Sequence, residues 1–272
     1  MTSIATLTDS TVREVDRDAQ HDGVDRRIAR AVFWLPAVGA VVVAATLLHR
    51  PLFTALVAED GPLEWTQFTL FLLASVLLAV AAWRLARSGD LIGCALIAVG
   101  ALGIFGIAGE EISWGQRVFD WQTPSDLAAV NHQHETNIHN ITAFPVQRIG
   151  NYVQLVLGAA GLVLPWLTRT SRPRVHVPVL RLLSPPLFVT SCFGLLFAYR
   201  AVRFLWASSV QISPVVTFGE WPELTFALGL SLFAALLLRQ LRRTPAGRGA
   251  GAGTGRGPGM LDDQPPAQPS LR

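Results

Sequence analysis

Composition and patterning point to an all-α polytopic membrane helix bundle with six transmembrane helices and both termini cytoplasmic. Of the 272 residues, 51% are hydrophobic and only 15% are charged, with a mean hydropathy of +0.40. A soluble domain carries about 25% charged residues. The apolar residues lie in six blocks, each close to the roughly 17–25 residues that cross a hydrocarbon core. Arginines gather at alternate ends of those blocks, the orientation signal of a multi-pass protein.

The elements follow in order. Residues 1–30 are polar and charge-mixed and read as a disordered cytoplasmic tail. The first apolar run starts near Ala31, behind that tail, so it reads as an uncleaved signal-anchor helix. A membrane domain over residues 31–243 then holds helices at about 32–49, 63–83, 91–109, 151–167, 183–205 and 222–238. A long outer segment, 110–150, separates the third helix from the fourth. From Thr244 the chain runs through "GRGAGAGTGRGPG" and "DDQPPAQPS", a Gly- and Pro-rich tail over 244–272 that reads as disordered.

With the N-terminus placed in the cytoplasm, 17 of the 22 arginines fall on the cytoplasmic side. There is no lysine. Arg50, Arg117 and Arg148 remain outside, with Arg200 and Arg203 inside the fifth helix. The basic residues sit beside apolar runs, so the pI near 9.5 is a topology signal and not a nucleic-acid footprint. Cys94 and Cys192 each lie inside an apolar run and read as small buried residues.

The acids segregate the other way. Glu59, Asp60, Glu64, Glu110, Glu111, Asp120, Asp126, Glu135, Glu220 and Glu223 fall on or near the outer face, while Asp90 alone lies between helices on the cytoplasmic side. The positive-inside rule concerns Lys and Arg and does not account for this. Glutamates at membrane depth are costly and face a protein interior or a wet cavity. Glu59, Asp60 and Glu220 stand where a helix N-terminus stabilises negative charge; Glu64 and Glu223 lie deeper and are better cavity residues. Glu110 and Glu111 end the third helix, where the macrodipole disfavours them, so an arginine, a metal ion or a shared proton is expected to compensate.

The outer segment contains "NHQHETNIHN", residues 131–140. Histidine and carboxylate together suit zinc or a similar divalent ion. The spacing is not the i, i+4 histidine pair of an HExxH helix, and a solvated polar loop accounts for it equally. Glu135 and His139, four apart, are the first choices if the stretch is helical. After Pro145, Gln147, Arg148, Asn151 and Gln154 form a polar stripe that enters the fourth helix as a cavity wall would. Tyr199, Arg200 and Arg203 lie within one turn of the fifth. Their arginines suit either salt bridges to the glutamates or a clamp for an anionic head group. Ser113 has no nucleophile-elbow pattern, which argues against a serine hydrolase.

The run "GEEISWGQRVF" followed by "ETNIHN" resembles an uncharacterised group of bacterial multi-pass membrane proteins with GEEISWGQR and ETN-HN signatures. The resemblance covers residues 109–140. It implies a bacterial plasma-membrane location and singles out Glu110, Glu111, Ser113, Trp114, Gln116, Arg117, Glu135, Asn137, His139 and Asn140, but not His132 or His134. A looser similarity of type links the chain to alkaline ceramidase and adiponectin-receptor hydrolases, whose late HxxxH motif it lacks.

The expected function is a polar, carboxylate-rich site at the outer membrane interface, acting on a lipid or lipid-linked substrate, with hydrolysis assisted by a divalent metal. Glu110, Glu111, Glu135 and His139 are the expected catalytic residues, and Glu111, Glu135 and His139 the metal ligands. Arg117, Arg148, Asn151, Arg200, Arg203, Glu64 and Glu223 are expected to bind substrate. A proton- or cation-coupled transporter, or a non-catalytic assembly partner, is the alternative.

Overall fold

The computed structural model describes residues 4–58, 61–131, 135–138, 141, 146–170, 177–206 and 216–243. Among them the chain is helical and no strand occurs; one isolated antiparallel bridge joins Asn131 to Ile141. The helices are α1 (Ile4–His21), α2 (Arg26–Ala45), α3 (Arg50–Val57), α4 (Pro62–Arg87), α5 (Leu91–Glu111), α6 (Gln116–Phe119), α7 (Ser125–Ala128), α8 (Val146–Thr168), α9 (Pro178–Leu182), α10 (Thr190–Trp206) and α11 (Glu220–Arg243). Six of them, α2, α4, α5, α8, α10 with the turn before it, and α11, are long and apolar enough to cross a membrane. The chain is an all-α polytopic bundle.

Local chemistry sets the ends. Asp25 caps α2 by accepting the Arg27 N–H at 2.7 Å, and Asp90 caps α5 by accepting the Gly93 N–H at 2.8 Å. Asp90, the lone acid between α4 and α5, is therefore a helix cap. Pro62 opens α4 at its first turn, where a missing N–H costs nothing. Pro185 and Pro186 hold off the start of the fifth span, so regular helix begins at Thr190 behind a 3-10 turn over Leu187–Val189. The first span ends at Ala45 and a 3-10 turn, and His49 then caps the short α3, which the apolar run alone does not reveal.

α4 lies between α5 and α11, α10 packs on α8 and α11, and α2 leans on α10 and α11. Phe226 is central: its ring meets Phe71 at 6.1 Å and Phe193 at 5.6 Å, both edge-on. Small residues let backbones approach. A Cβ on Gly161 of α8 would fall 2.2 Å from the Phe193 ring of α10, and one on Gly39 would fall 1.9 Å from the Trp221 ring. Polar side chains bridge helices as well: Ser75 Oγ donates to Ala101 O at 2.9 Å, Ser231 Oγ to Leu70 O at 2.6 Å, and Trp221 Nε1 to Pro36 O at 3.0 Å.

The expectation of disorder over residues 1–30 is corrected from Ile4 onward, where the residues are described. α1 is helical and docked, with Val15 and Ala19 buried against the turn before α10. Buried Asp18 and Asp22 hold it there. Arg169 Nη1 donates to Asp18 Oδ1 at 3.2 Å and to Asp22 Oδ2 at 2.9 Å, the Leu187 N–H donates to Asp18 Oδ2 at 2.6 Å, and Gln240 Nε2 donates to Asp22 Oδ1 at 3.0 Å. Polar composition hid this because the partners lie on distant segments. Burial pushes the Asp18 carboxyl up from its ordinary value, against the opposing pull of Arg169 and the Leu187 N–H. The tail 244–272 lies outside the described residues.

Candidate functional site

The site begins at the end of α5, where Glu110 and Glu111 are still helical. Neighbouring side chains on a helix diverge by about 100°, and these two serve different structures. Glu110 faces the following segment. Its Oε1 accepts the Trp114 Nε1–H at 2.7 Å and its Oε2 accepts the Ile138 N–H at 2.6 Å. Hydrogen bonds from the following segment therefore meet both carboxylate oxygens.

Between them the chain reverses through left-handed backbone. Ser113, Trp114 and Gly115 have φ of 48°, 55° and 84°. Only Gly115 adopts this without a Cβ penalty; for the others it costs roughly 1–2 kcal/mol each. Buried hydrogen bonds offset that cost. Ser113 Oγ donates to Glu135 Oε2 at 2.8 Å, Asn137 Nδ2 donates to the same oxygen at 2.7 Å, and Asn131 Nδ2 donates to Asn137 Oδ1 at 2.8 Å. Gln116 Oε1 accepts the Thr136 N–H at 2.6 Å. Ser113, Asn131, Glu135 and Asn137 are all buried. The signature residues thus build a folded cap, with Glu135 as its central acceptor.

Glu111 turns the other way. The charges that act on it are those of Glu223, Glu220, Glu64 and Glu110, so α4, α5 and α11 bring their acids to one end of the bundle. Gln67, wholly buried on α4, donates Nε2 to Glu220 O at 2.9 Å and to Glu220 Oε2 at 3.0 Å. Both neighbours are acceptors, which fixes the orientation of the amide and leaves Gln67 Oε1 with no partner among the described residues. Arg200 of α10 joins Glu223 through Nη2 and donates Nε to Gln154 Oε1 of α8 at 2.5 Å; its guanidinium also lies 5.3 Å from the centre of the Tyr199 ring. Arg203 Nη1 is buried with no hydrogen bond among the described residues.

The expected site residues therefore divide. Glu64, Glu111, Glu223 and Arg200 come together; Glu220, read from the sequence as a helix N-terminus acid, joins them, as does the unforeseen Gln67, whose signal was a lone amide inside "WTQFTLFLL". Glu110 and Glu135 are engaged by the cap. Arg148 and Asn151 are exposed on the first turns of α8, and of their stripe Gln154 faces the cluster. His139, His132, His134, Asn140, Glu59, Asp60 and the Arg117 side chain lie outside the described residues. Among the described residues no three His, Cys, Asp or Glu side chains stand together closely enough to hold a metal ion. Exposed aromatics, Trp65, Trp114, Phe119 and Trp121, are carried by α4 and the cap segment, and Phe119 stacks on Trp121 at 5.5 Å.

No family model, no curated protein and no solved structure matches this chain.

Proposed function

We propose that the protein acts on a membrane lipid or lipid-linked substrate at the outer face of a bacterial plasma membrane, by hydrolysis, with Glu111 as the proton-accepting group. The observation that carries this reading is the gathering of Glu64, Glu220 and Glu223 around Glu111, with Arg200 already paired to Glu223. Such a cluster calls for a cation or a proton, and a carboxylate held there is suited to take a proton from water. A divalent ion held by Glu111 together with His139, which lies outside the described residues, would polarise the bond under attack. Support for a lipid substrate comes from the exposed tryptophans on α4 and the cap, since such rings lie at head-group level in membranes. Arg203, with an unsatisfied buried nitrogen, is the group proposed to meet an anionic head group.

The test uses the full chain in detergent. Metal content is measured in wild type and in Glu111→Gln, alongside turnover of a panel of outer-leaflet lipids. Wild type is expected to retain a divalent ion and to release a lipid product, and the variant to lose both. Wild type that binds no metal and turns over no lipid in the panel sinks the reading. A second reading, proton- or cation-coupled transport, is favoured by one observation: the Arg200–Glu223 and Gln67–Glu220 contacts join membrane-spanning helices. Cation-driven flux in proteoliposomes that disappears in Glu111→Gln would select it.

A further inference from the structure

The opposite end of the bundle carries a second charged feature. Where α2 begins, Asp25, Arg26, Arg27 and Arg30 line an open cavity of about 320 Å³. The acids around it are engaged. Asp25 Oδ1 accepts the Arg27 backbone N–H at 2.7 Å, and Asp16 of the docked α1 accepts Arg30 Nε at 2.9 Å and Arg30 Nη2 at 2.5 Å. The guanidinium groups of Arg26 and Arg27 donate no hydrogen bond among the described residues, although the Arg26 charge reaches Asp16. Below the cavity, along the same helix, Trp34, Val38 and Val41 follow Arg27 and Arg30 at steps of three or four residues. They share one face and are exposed to 45%, 59% and 70%, so the track is open to acyl chains.

We propose that this cavity is a binding site for an anionic phospholipid, with the phosphate held by Arg26 and Arg27 and an acyl chain along Trp34, Val38 and Val41. Charge complementarity selects the occupant. Arg30 is balanced by Asp16, and the Asp25 carboxylate offsets one more charge, so Arg26 and Arg27 leave the lining net positive by one; a net negative head group gains from that charge and a zwitterionic one does not. The apolar track continues from the phosphate position, which distinguishes a lipid from a free phosphate. The proposal is independent of the chemistry at Glu111, which lies at the other ends of α5 and α11.

The experiment is native mass spectrometry of the full chain, delipidated in detergent and offered equal phosphatidylglycerol and phosphatidylcholine. Wild type retains phosphatidylglycerol in preference, and R26Q/R27Q loses about fivefold of that preference for each arginine removed. R84Q/R87Q, which removes two arginines from the end of α4, keeps the wild-type preference. Equal retention of the two lipids by wild type overturns the site without reference to any variant. So does an unchanged preference in R26Q/R27Q, or an equal loss in R84Q/R87Q. Glycerol 3-phosphate is added as competitor; displacement of the lipid at matching concentration would assign the cavity to a soluble phosphate and overturn the lipid site.

Discussion

Asn137→Ala removes the hub of the cap. The side chain donates to Glu135 Oε2 at 2.7 Å and to Ser113 Oγ at 3.1 Å, and it accepts from Asn131 Nδ2 at 2.8 Å. A hydrogen bond to a charged partner contributes about 1.5–3 kcal/mol and a neutral one about 0.5–1.5 kcal/mol. Bonds sharing one network are not additive, so a loss of about 3 kcal/mol is expected, on the order of 100-fold in the local opening equilibrium. Amide hydrogen exchange reads this directly. The Glu135, Thr136 and Ile138 N–H groups are held by Asn131 Oδ1, Gln116 Oε1 and Glu110 Oε2 at 3.2, 2.6 and 2.6 Å. Their exchange should accelerate by about two orders of magnitude while the amides of α4 and α11 keep their rates. Exchange at these three positions within about threefold of wild type would refute the view that the cap is a cooperative network.

Three further outcomes follow from the packing and the charges. Gly161→Ala sets a Cβ 2.2 Å from the Phe193 ring, and is expected to cost about 1–3 kcal/mol in detergent unfolding, with partial recovery when Phe193→Leu is added; unaltered stability in the single variant contradicts the close approach of α8 and α10. Arg169→Met strands two buried carboxylates, and α1 should become cleavable by protease with the bundle intact, a loss of about 3 kcal/mol of docking; wild-type resistance of α1 would deny the role of the pair. Because burial raises the Asp18 carboxyl, the docked state binds its proton more tightly than the undocked state. Docking therefore strengthens as pH falls through the raised value toward 3.8 and weakens as pH rises back through it. Protease protection of α1 in a His21→Gln background, which removes the imidazole 3.2 Å from Asp22, should increase on acidification from neutrality, and Asp18→Asn should flatten the profile. Protection that falls across that range, in that background, would reverse the assignment.

The membrane spans were legible because a stretch of apolar residues needs no distant partner to declare itself. The acids at the ends of α4, α5 and α11 stood out in the sequence as a set, and in the fold the charges of Glu64, Glu220 and Glu223 act on Glu111. One partner of Glu110 was not legible, because a backbone N–H 28 residues onward has no side-chain signature. Gln67 was overlooked because a single amide in an apolar run does not say which carboxylate it will meet. α1 was mistaken for a disordered tail for the same reason: its acids look solvated until Arg169 and the Leu187 N–H arrive from elsewhere in the chain.

That separation bears on how the protein is made. Asp18 finds Arg169 across 151 residues and the Leu187 N–H across 169, and Asp22 finds Gln240 across 218. α1 can meet α2 early, through Asp16 and Arg30, but its buried acids have no partner until the fourth span has been made, and their full set of contacts waits for the last. The docking of α1 on the end of the bundle, through Arg169, Leu187 and Gln240, is therefore completed only as a late step. A bulky fusion placed on the N-terminus would therefore interfere late, with the spans already threaded and the end seal missing.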